Sequence, residues 1–174
     1  MRARELGEET AIVKREDFTL EEWTKLLESL MLAGMAVSAA DPNGLWGTIK
    51  EALASRSALA ASKVDSGSNE LVKAVIADFE TRQGRSAVQE ALRKRVAGAE
   101  PVEVVQRSLD TLREVSAILD AKAPADAAAF KACLRGIGQK VAEASMEGGF
   151  LGFGGVQVSD AEKATLADIA EALG

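Results

Sequence analysis

Apolar residues return along the chain at intervals of three and four, and short clusters of Ser, Thr, Gly and Pro interrupt them. That period lays one side of a rod against a common interior, so the pattern predicts α-helices throughout. The sharpest start lies at Thr19 and Glu22, which have the spacing of a capping box. Phe18 and Trp23 flank it as a hydrophobic staple. From there Trp23, Leu27, Leu30, Met31 and Gly34 recur at helical spacing, and Asp41-Pro42-Asn43-Gly44 predicts the exit.

A second helix is predicted to carry Trp46, Ile49, Leu53, Leu59 and Ala60, up to a break at Ser66-Gly67-Ser68. A third carries Leu71, Val72, Val75, Ile76 and Phe79 and is expected to end at Gly84. Ser86 and Gln89 offer a capping box for a fourth, with Val88, Ala91, Leu92 and Val96 on its buried face. Gly98 closes that helix and Pro101 opens a fifth, following the usual preference for glycine at exits and proline at entries. Its seam reads Val102, Val105, Leu109, Leu112, Val115 and Leu119. Pro124 opens a sixth helix, with Phe130, Cys133, Leu134, Ile137 and Val141 inward and Gly148-Gly149 at its end. Ser159 and Glu162 cap the last, which holds Leu166, Ile169, Ala170 and Leu173. The expected fold is all-α, a single-domain bundle or irregular array of about seven helices. It covers residues 18–174, behind a flexible charged N-terminal arm at 1–17 in which Ile12 and Val13 offer an anchor.

Composition narrows what the helices can do. A chain of 174 residues suits one core. Hydrophobic residues make up 47% but aromatics only 4%, so that core must be built from Leu, Val, Ile, Met and Ala. The net charge of −6 and pI of 4.9 oppose a phosphate backbone, and no nucleic-acid partner is expected. Arg82, Arg85, Arg93, Lys94 and Arg95 are a local exception; without interleaved aromatics they read as a solvated helix face. The longest apolar run, Leu30 to Ala40, falls short of the roughly 18–20 residues that cross a bilayer, and Met1 to Asp17 holds no signal-peptide core. With a single cysteine, the reading is a soluble, acidic, cytoplasmic protein with no membrane partner.

The chain has no histidine and no tyrosine. That excludes Ser-His-Asp and Cys-His catalysis and the usual zinc sites, leaving only carboxylate, carbonyl and water ligands for a metal. No cofactor is expected. Cys133, among Phe130, Leu134 and Ile137, reads as a buried structural thiol. In the loop from Gly148 to Gly155 the glycines free the backbone, while Phe150, Leu151 and Phe153 fold onto the bundle or, with Trp46, present a contact surface. Asp41, Glu143 and Glu147 form a candidate acidic site if the two turns meet. The segments Val37–Gly47 and Val141–Gly152 also share an order of residue types, as an internal duplication would leave. The Ala39-Ala40-Asp41 turn resembles the acidic inter-helical turn of tellurite-resistance-type helical proteins; the likeness is confined to the turn, lacks a specific motif and transfers no functional residue.

The functional expectation is a non-catalytic helical interaction module, acting by self-association or through a protein partner. The alternative is a stress-response protein that binds a small ligand or divalent cation in an inter-helical pocket. An enzyme is the third reading, with no catalytic residue to name.

Overall fold

The computed structural model describes residues 13–40, 69–147 and 158–174. Among them lie a 3-10 turn, Arg15–Asp17, and six α-helices: α1 Leu20–Ala40, α2 Glu70–Phe79, α3 Arg82–Val96, α4 Pro101–Lys122, α5 Pro124–Glu147 and α6 Asp160–Leu173. The fold is all-α, and no strand occurs among the described residues. The predicted helix through Trp46 and Leu53, its flanking turns and the glycine-rich loop lie outside the described residues, as do residues 41–47 and 148–152 of the internal echo.

The organising element is α1. The sequence pattern suggests a helix with one buried face, yet every residue from Leu26 to Ala39 is buried. An apolar helix with no polar side belongs in the middle of a protein, and α1 touches all five other helices, α4 and α5 most extensively. Its start is as predicted. The Thr19 N–H donates to the Glu22 carboxylate at 2.7 Å, and the Glu22 N–H donates to the Thr19 hydroxyl at 3.2 Å. The Phe18 and Trp23 rings pack at 5.6 Å between centroids. Lys122 of α4 reaches Glu22 at 2.6 Å, and this ion pair, helped by the Thr19 N–H, holds the Glu22 carboxyl below its ordinary range. A lowered folded pKa stabilises above the ordinary carboxylate value, and that contribution is lost as pH falls through the folded value. Lys122→Met is therefore expected to move the Glu22 midpoint upward in an NMR titration; an unmoved midpoint would remove Lys122 as the cause.

Residues 13–17 are tied to the helical body. Val13 packs against the core, Arg15 pairs with Asp78 at 3.2 Å and lies 5.9 Å from the centre of the Trp23 ring, and Lys122 donates to the Asp17 carbonyl at 3.2 Å.

Two helix boundaries differ from the sequence reading. Gly84 does not end a helix, and Ser86 does not begin one. Thr81 is the N-cap of α3, and its hydroxyl accepts the Gly84 N–H at 2.9 Å. Gly84 sits in the first turn because the α2–α3 corner is tight: a Cβ there would lie 2.0 Å from the Asp78 carbonyl oxygen. Gly84→Ala is expected to destabilise by about 2 kcal/mol despite alanine's better helix propensity, because backbone must move. A thermal melt at or above the wild-type midpoint would contradict this. By contrast Gly98 does close α3, with φ +65°, and Pro101 opens α4.

The seam of α4 is rotated from the predicted one. Val102 is 73% exposed and Val105 only partly buried, whereas Val104, Ser108 and Thr111 point inward with Leu109, Leu112, Val115 and Leu119. A seam traced from apolar residues alone misses buried hydroxyls. Ser108 and Thr111 satisfy themselves on the carbonyls of Val104 and Arg107, at 2.7 and 3.0 Å, and so fit an apolar interior. In α6 the predicted Ala170 is exposed and Ala172 is buried instead. The Ser159–Glu162 capping box of α6 is present, at 2.8 and 3.2 Å.

Candidate functional site

One acid interrupts the buried length of α1. Glu28 is 3% exposed, so the desolvation of its carboxylate must be offset by a partner. Arg95, in the last turn of α3, supplies it: Nε and Nη2 both donate to Glu28 Oε2, at 3.1 and 2.8 Å. Arg107 of α4 donates to the Arg95 carbonyl at 2.7 Å and so fastens the end of α3.

Above this pair the first turns of α1 and the outer half of α3 part to leave a groove of about 620 Å³, open to solvent. Small side chains make the room: Ala87 and Ala91 of α3 lie across from Thr24 and Leu20 of α1. Leu20 is 74% exposed at the rim. Both edges are charged. Lys25 bridges Glu114 and Glu21, each at 2.8 Å, and these carboxylates raise its pKa, Glu114 most. Lys94 pairs with Glu90 at 2.8 Å and lowers the Glu90 pKa. The groove thus offers an apolar floor between rows of alternating charge that already neutralise one another. This suits the side of a helix better than a single strongly charged ligand.

Of the residues singled out in the sequence, Trp46, Phe150, Leu151, Phe153 and Asp41 lie outside the described residues. Glu143 and Glu147 do fall one turn apart on α5; Glu143 is exposed and accepts from Gln139 Nε2 at 2.9 Å. No group of three or more acidic or cysteine side chains among the described residues is placed to hold a metal ion. The basic stretch of α3 divides: Arg82, Arg93 and Lys94 are exposed, whereas Arg95 turns inward to Glu28. Cys133 is buried as expected, and burial pushes its thiol up. Native protein at pH 8 should react with iodoacetamide roughly 100-fold more slowly than the urea-unfolded chain. Equal rates would show the thiol to be accessible.

The groove itself was missed by the sequence reading. Its one signal is Glu28, a lone acid within the stretch Leu26–Ala39; a charge there demands a partner and marks where another helix must bring one. Among the described residues no helix is long and apolar enough to cross a membrane. Fold and groove together define a helical bundle sheathing a central helix. Comparison with protein-family models, with curated proteins and with solved structures finds no significant match.

Proposed function

We propose that this chain is a non-catalytic helical interaction module whose docking surface is the α1–α3 groove. The observation that carries the reading is Leu20, a large apolar side chain held 74% exposed beside a floor of alanines. The Leu20 side chain is largely outside its own core, and a groove floored by small residues accepts the ridge of a partner helix. The partner is an amphipathic protein helix with an apolar stripe and mixed charge at its margins.

Ala91→Trp fills the floor from a partly exposed position and should leave the thermal midpoint within about 2 °C of wild type. Affinity capture with the wild-type and plugged proteins in parallel tests the reading. A partner held by wild type and lost at least about tenfold by Ala91→Trp supports it. Identical capture by both overturns the groove. Loss with Phe150→Ser and Phe153→Ser alone would move the surface to the glycine-rich loop.

A further inference from the structure

Two solvent-facing stripes, on different helices, match position for position. On α3, Arg82, Ser86, Gln89 and Arg93 are exposed and lie on one side of the helix, turned away from the α1–α3 groove. On α6, Asp160, Ala164, Ala167 and Glu171 are exposed and likewise share one side. Both stripes step by four, three and four residues. In each, the charged ends are therefore separated by the same distance, about 16–17 Å at 1.5 Å per residue. One stripe is cationic at both ends and the other anionic at both ends, with small or neutral side chains between.

The placement of these charges does not serve their own helices. Arg82 occupies the first position of α3, where the helix dipole disfavours a cation, and the first turn of that helix holds no acid. Glu171 lies in the last turn of α6, where the dipole disfavours an anion, and that turn holds no base. Among the described residues neither makes an ion pair. At the other ends, Asp160 has a 3.4 Å contact with exposed Lys163, and Arg93 acts on Glu90 only at a distance.

We propose that α3 of one copy packs antiparallel along α6 of a second copy, with Arg82 opposite Glu171 and Arg93 opposite Asp160. The antiparallel arrangement brings the two ill-placed charges together and sets each helix dipole against its opposite. Ala164 and Ala167 let the α3 backbone approach, with Ser86 and Gln89 facing them. This rests on the reading of the chain as an interaction module and names one partner, a second copy, at a face separate from the groove.

Sedimentation equilibrium of the full chain, from micromolar to near-millimolar concentration, tests it. Wild type should associate, with a dissociation constant that rises at least about tenfold between 50 mM and 500 mM NaCl. Arg82→Glu and Glu171→Arg should each weaken association at least about tenfold, and the double variant should restore it. Glu171→Arg also places a favourable charge in the last turn of α6, so loss of association cannot be blamed on unfolding. Wild type that stays monomeric throughout, or single variants without effect, would overturn the proposal while leaving the groove reading intact. An effect of Arg82→Glu on capture of an acidic partner, with none from Glu171→Arg, would overturn it in favour of that partner.

Discussion

Trp23→Ala is expected to lower the unfolding free energy by about 4 kcal/mol, near the top of the range for a single substitution. The indole is 2% exposed, and three other groups depend on it. Its ring packs on Phe18, its Nε1 donates to Asp78 Oδ2 at 2.6 Å, and Arg15 lies near its face. Removing it leaves a cavity beside Phe18 and takes away the ring that Arg15 lies against, while the Arg15–Asp78 ion pair still ties residues 13–17 to α2. For a chain of this length the thermal midpoint should fall by roughly 8–16 °C. Trp23→Phe keeps most of the apolar volume and loses the bond to Asp78, so its cost should be about 1.5 kcal/mol. Urea denaturation of both variants checks the pair. Equal losses would mean that the hydrogen bond, not the packing, carries the site.

The second large effect is an asymmetry. Arg95→Ala should cost roughly 3 kcal/mol, because it strands the Glu28 carboxylate inside the bundle. Glu28→Leu should cost less than about 1.5 kcal/mol, since leucine suits the interior and Arg95 can extend into the open groove. The difference follows from exposure: the Glu28 side chain is 4% accessible and the Arg95 side chain 26%. Chemical denaturation at neutral pH reads both. A larger loss for Glu28→Leu than for Arg95→Ala would show that the guanidinium, not the carboxylate, is the group that cannot reach water.

Features written in neighbouring residues could be read from the sequence. The Thr19–Glu22 and Ser159–Glu162 boxes, the Gly98 exit and the Pro101 entry depend on a few adjacent positions, and each is present in the structure. Harder to read are tight corners and polar groups that bond their own helix. Gly84 looks like a terminator until the Asp78 carbonyl is seen pressed against it. A seam of apolar residues includes Val102 and passes over Ser108 and Thr111, whose hydroxyls bond their own helix and so can face the interior. The central position of α1 was legible in principle, because Leu26–Ala39 has no polar side apart from Glu28 and small hydroxyls. The groove was not legible. It exists because α3 crosses near the start of α1 at Ala87 and Ala91, and no local pattern fixes how two helices separated by forty residues lie against each other.

The same central helix imposes an order of exposure while the chain is being made. Among the described helices α1 precedes four of its five neighbours by more than forty residues, and α4, the most extensive cover, ends only at Lys122. At roughly 5–20 residues per second, translation leaves Leu26–Ala39 without that cover for about 4–16 s after Ala40 is joined. A nascent segment that is oily on every side is a strong target for holdase chaperones during that interval, and fragments cut before α4 should precipitate rather than fold.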